Sequence, residues 1–166
     1  MENSRKIDLA FKMLDNVQNL IKFADSKINV LLIISGVSTT FILTNFNDLF
    51  DLCLISKIAL GLFFTSFLVF LYFSILTISP RSDKHTGKSV SKTIYFKHIA
   101  ERKEVKDFIE DFNKLGDDSF LDDLLYQVFE NSKIADKKFS SYANGLFAMK
   151  VQIGLFLILV ALKFFM

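Results

Sequence analysis

The sequence has no tryptophan, one proline (Pro80) and one cysteine (Cys53). A single cysteine excludes an internal disulfide framework and a thiolate zinc cage. With one proline, long stretches run free of the strongest helix breaker. Charge is also sparse. Only 23% of the 166 residues are charged, and the net is +2, so no global basic field points to nucleic acid. What abounds is apolar: hydrophobic residues make up 51%, Phe occurs 20 times, and mean hydropathy is +0.36. This excludes a disordered chain, which needs low hydrophobicity and high net charge. It also argues against an ordinary soluble enzyme.

The apolar residues collect in three runs. Ile28 to Asn47 carries no charge over 20 residues, and Ile58 to Pro80 carries none over 23. Crossing a hydrocarbon core of roughly 30 Å takes about 20 helical residues, so both are long enough. The third run, from about Gly145 to Met166, is apolar except for Lys150 and Lys163. Each lysine stands towards one end, where its stem can carry the ammonium to the headgroups. The first run follows 27 mostly polar residues, and exceeds the roughly 7–15 residues of a signal-peptide core. It reads as a membrane span.

Basic residues set the expected orientation. Five Lys/Arg precede the first span, one (Lys57) lies in the link after it, and twelve lie between Arg81 and Lys138. The N-terminus and the long segment therefore belong in the cytoplasm, with the short link outside. Three spans satisfy this rule; two or four would not.

Ile7, Ala10, Leu14, Val17, Ile21, Ala24 and Ile28 recur at alternating steps of three and four, a heptad stripe. It predicts one helix running from residues 1–27 into the first span. The stripe needs a partner, either another helix of this chain or a second copy. Pro80 ends the second span. Val105, Phe108, Ile109, Phe112 and Leu115 mark a second amphipathic helix. The break at Gly116-Asp117-Asp118-Ser119 offers Asp118 or Ser119 as an N-cap. Leu121, Leu124, Leu125, Val128, Ala135, Phe139 and Tyr142 form a further face on a helix expected to continue through Gly145. Nothing alternates with period two for long enough to suggest a sheet. The expected fold is all-α: a three-span helical membrane protein with long helices extending into a cytoplasmic helical bundle. Its parts are a cytoplasmic amphipathic helix (1–27), spans at 28–46, 58–79 and 145–165, and a cytoplasmic helical region (80–144). Shorter helices there are expected to pack on the long ones.

Catalytic patterns are missing. His85 and His98 stand 13 residues apart with no HExxH and no cysteine partner. Asp117, Asp118, Asp122 and Asp123 form the densest acidic group. Their placement at a helix start suits the helix dipole better than a metal. There is no GxxxxGK[ST] or GxGxxG loop, and no serine sits in a nucleophile context. No enzyme, cofactor or metal is expected. In the first span, Asn29, Ser35, Ser38, Thr39, Thr40, Thr44 and Asn45 fit helix packing with hydroxyls bonded to their own turn. The sharper alternative is a pore-lining face in an oligomer. A small anionic ligand would need basic side chains near the cytoplasmic helices. The candidates are Lys27, Arg81 and Lys137, with Tyr95 able to stack on a base. Lys88, Lys97, Arg102 and Lys138 are also available, the Lys137-Lys138 pair has no unique geometry, and most of these lysines are more simply explained as membrane-flanking charge.

Four motifs then carry a resemblance: Ala24-Asp25-Ser26-Lys27 before the first span, Ser79-Pro80-Arg81 after the second, Tyr95-Phe96-Lys97-His98-Ile99-Ala100, and the run from Asp123-Leu124-Leu125-Tyr126-Gln127-Val128 through Ile134-Ala135-Asp136-Lys137-Lys138. In this order and spacing, over about residues 15–162, the chain resembles the Pycsar effector transmembrane family. It departs at Ile28-Asn29, where small residues are usual, which removes the family's reason for close helix packing there. The resemblance implies a bacterial antiphage effector in the inner membrane. A partner pyrimidine nucleotide cyclase would supply cyclic UMP or cyclic CMP. The effector, as a homo-oligomer, would then impair the bilayer and cause abortive infection. The alternatives are an effector gated by a cyclic oligonucleotide and a non-toxic membrane scaffold or accessory subunit.

Overall fold

The computed structural model describes residues 2–79, 99 and 103–165. Five helices span nearly all of them. They are α1 (Glu2–Thr44), α2 (Phe46–Leu52), α3 (Leu54–Ile78), α4 (Val105–Asn113) and α5 (Asp117–Phe165). Three of them, α1, α3 and α5, are long and apolar enough to cross a membrane. The fold is all-α and that of a multi-pass membrane protein.

The continuity of α1 follows from its composition. No proline enters it, and four of its hydroxyl side chains bond back to their own turn. Ser38 and Thr39 donate to the Ser35 carbonyl, Thr40 to Gly36 and Thr44 to Thr40. Backbone oxygens can accept these second bonds without the helix opening. At Asn45 the helix stops, and the Asn45 amide donates to the Phe41 carbonyl. Cys53 then adopts an extended backbone and separates α2 from α3. Its sulfur accepts from the Ser56 N–H at 3.4 Å, and the Ser56 hydroxyl reaches back to the Leu49 carbonyl. Helix α3 ends at Ile78, two residues before Pro80. Helix α5 begins at Asp117, and the Gly116 carbonyl accepts from the Phe120 N–H at 3.0 Å. Gly116 therefore holds the position that sequence assigned to Asp118 or Ser119. The two aspartates at the start of α5 lie in its first turn instead, where the dipole favours them.

The chain divides into two compact units: residues 1–21 with 81–136, and residues 22–80 with 137–166. In the first, Ala10 and Leu14 of α1 are buried with Leu124 and Val128 of α5, and Ile7, Phe120 and Leu121 pack on them. The heptad stripe thus finds its partner within the chain. Leu125, placed on the same face of α5 by spacing, is exposed. Helix α4 belongs to this unit, yet none of its residues is buried; Phe108 is half-buried.

The second unit has two cores. Ile28, Phe70, Ala148 and Met149 form one, and Ile42, Ala59, Leu60, Phe63 and Leu159 form the other, joined by Leu49 of α2. Along α1 and α5 the residue numbers rise together from core to core, whereas along α3 they fall. Helices α1 and α5 therefore run parallel and α3 runs against them. Ile28 is fully buried despite its size, because Gly145 stands opposite. A Cβ placed on Gly145 would lie 3.6 Å from Ile28 Cδ1 and 3.4 Å from Phe73 Cβ. The small residue needed for close approach is on α5 rather than at positions 28–29.

Candidate functional site: buried polar nodes between helices

In the second unit, Lys138, Gln152 and Lys163 of α5 make polar contacts with other helices. The first unites α1, α3 and α5. The Lys138 ammonium donates to Asp25 Oδ1 at 2.5 Å and to the Thr77 carbonyl at 2.7 Å. The Lys138 side chain is 5% exposed and that of Asp25 35%. Thr77 is in the last turn of α3, where carbonyls lack helical partners and the dipole favours a cation. One ammonium thus neutralises a carboxylate and satisfies a helix end. Such a charge is tolerable away from water only when it is paired and hydrogen-bonded.

The second contact lies within the apolar segments. The Ser35 hydroxyl donates to Gln152 Oε1 at 2.8 Å, and Gln152 Nε2 donates to Thr39 Oγ1 at 3.2 Å. Thr39 passes its own proton to the Ser35 carbonyl. Gln152 is fully buried, and this closed circuit satisfies its carbonyl. The third contact is Lys163, which donates to Asn45 Oδ1 and, at 3.1 Å, to Asp48. Ser35, Thr39 and Asn45 therefore bond across helices or within their own turn, as the packing reading of the first span requires.

The residues proposed from sequence for a ligand are placed differently. The Lys27 ammonium lies 5.1 Å from the centroid of the Phe23 ring, and its side chain is exposed. Lys137 is half-buried. Arg81 and Tyr95 lie outside the described residues. Sequence singled out Lys137, whereas Lys138 holds the buried position. A signal for this was present: Asp25 and Lys138 each sit in a motif of the family resemblance. For Gln152 the signal was a lone amide in an apolar run. Among the described residues, no three His, Cys, Asp or Glu side chains converge on a metal-sized site.

These features define a helical multi-pass membrane protein whose helices are pinned by buried polar pairs. Residues 9–165 match the Pycsar effector protein domain, so the chain belongs to the Pycsar effector family. A relative from Escherichia coli, the Pycsar effector protein EcPycTM, is 28% identical over 173 aligned positions. The alignment covers 98% of this chain and 93% of that protein. No solved structure matches the chain significantly.

Proposed function

We propose that this protein is a cyclic-nucleotide-responsive effector of antiphage defence. A cyclic pyrimidine nucleotide, cyclic UMP or cyclic CMP, made by a partner cyclase during infection, activates it. It then impairs the inner membrane and the infected cell dies before phage mature. Family membership supports the class of activity. The carrying structural observation is the Lys138 node, which ties α1, α3 and α5 together where their apolar segments meet the polar chain. An effector that transmits a signal into a membrane needs such a junction. A ligand shifts it only by binding one arrangement better than the other.

The topology is that of three spans with the N-terminus and residues 80–144 in the cytoplasm. The distribution of Lys and Arg supports this, and so does the parallel course of α1 and α5. Lys27, Arg81 and Lys137 are each proposed as candidates for the nucleotide's phosphate, and Tyr95 for its base. The protein acts without covalent chemistry.

The test uses purified protein in dye-filled liposomes, to which cyclic UMP, cyclic CMP and cyclic oligonucleotides are added separately. Release with a pyrimidine mononucleotide alone is expected. Release only with an oligonucleotide assigns a different signal, and no release with any of them overturns ligand gating.

A further inference from the structure

Helix α1 carries more apolar surface than its contact with α5 uses. Ile7, Ala10 and Leu14 form the arc that meets Leu124 and Val128 in the first unit. Beside it runs a second arc, Leu9, Met13, Asn16 and Leu20, at steps of four, three and four. Leu9 is 59% exposed, Met13 45% and Leu20 41%, and Asn16 is exposed as well. At about 100° per residue, the two arcs together cover about 180° of the helix. A helix facing a single core needs an apolar stripe of only about 100°. The surplus has the four-three spacing of a coiled-coil seam, with one polar residue in it.

One feature identifies the occupant: α1 is one helix from Glu2 into an apolar segment long enough to cross a membrane. A bilayer holds every copy in the same direction and at the same height, so Asn16 meets Asn16. No soluble partner has its register fixed in this way.

We propose that the Leu9, Met13, Asn16 and Leu20 face of α1 is the interface between copies of this chain, packed in parallel. Asn16 sets the register: paired with its counterpart it is satisfied, and a slipped pairing leaves it against apolar side chains. The interface forms without a nucleotide, so its fate is separable from that of the ligand-gating reading.

The experiment places single cysteines at Met13, Asn16, Leu20, Asp15 and Gln18 in a Cys53→Ser background. The full chain, in native membranes, is oxidised with copper phenanthroline. Dimer yields several-fold higher at 13, 16 and 20 than at 15 and 18 are expected. Equal yields at all five positions, or none at the seam, overturn the proposal. So does efficient cross-linking of Met13→Cys to Ile109→Cys in a double variant, which assigns the seam to α4. As a second measurement, the Met13→Lys, Leu20→Lys variant should be monomeric by light scattering in detergent, with helix content unchanged and wild type oligomeric. A monomeric wild type, or an oligomeric variant, counts equally against it.

Discussion

The ammonium of Lys138 lies 2.5 Å from a carboxylate oxygen of Asp25, a residue 113 positions earlier in the chain. The two partners are not equally buried, and the asymmetry has consequences. Removing the half-exposed carboxylate strands a buried cation. Removing the lysine leaves an anion that water can still reach. Asp25→Ala is therefore expected to destabilise the second unit by about 3 kcal/mol, and Lys138→Met by about 1 kcal/mol. Unfolding in detergent, followed by circular dichroism, measures both. Equal losses would show that the exposure difference carries no energetic weight.

Gln152→Leu removes the Ser35 and Thr39 partners in one step. Interhelical hydrogen bonds between apolar segments average about 0.6 kcal/mol, with a maximum of about 1.7 kcal/mol. A loss of about 1 kcal/mol is expected in the same assay. A gain in stability would mean that the leucine's apolar contacts outweigh the circuit.

Gly145 is a packing test. Its Cβ position is 3.4 Å from Phe73 Cβ, an ordinary contact distance, so Gly145→Ala is expected to fold normally. Helix propensity adds up to about 1 kcal/mol in its favour. Gly145→Leu forces Ile28 and Phe73 apart and should cost about 1–3 kcal/mol. Thermal midpoints that fall equally for both would indicate that any side chain is excluded.

Lys163→Met is expected to be mild. Its partner Asp48 is largely exposed, and ion pairs in contact with water contribute at most about 1 kcal/mol. A loss as large as that of Asp25→Ala would contradict this ranking.

Ligand contacts have their own readout. Replacing Lys27, Arg81 or Lys137 by Ala should shift the nucleotide dose that releases dye about ten-fold or more, since hydrogen bonds to charged groups are worth about 1.5–3 kcal/mol. Tyr95→Ala should act likewise through lost stacking. An unchanged dose dependence removes that residue from the site.

Sequence was informative wherever one helix decides the outcome. The stripe at Ile7, Ala10 and Leu14 marked the face that meets α5, because burial on a single helix repeats with its turn. Pro80 marked the end of α3, because a pyrrolidine ring cannot continue the ladder. Leu125 shows the limit. It shares the apolar spacing of Leu124 and Val128 but is exposed, since spacing along one helix does not say how much of its apolar face the neighbours cover. The choice of Lys137 over Lys138 has a similar cause. Adjacent lysines differ by about 100° around a helix, and only the neighbouring helices determine which of them turns inward.

Composition, hydropathy and period thus determined by themselves that this chain is helical, which segments suit a bilayer, and which families of motif it carries. These properties follow from the local cost of placing each residue in water, lipid or a helix. Tertiary structure alone decided that Asp25 meets Lys138 and the end of α3, that Gln152 meets Ser35 and Thr39, and that Gly145 makes room for Ile28. Those pairings depend on the height and rotation of one helix against another. Packing of side chains from distant parts of the chain sets both, and no local pattern encodes them.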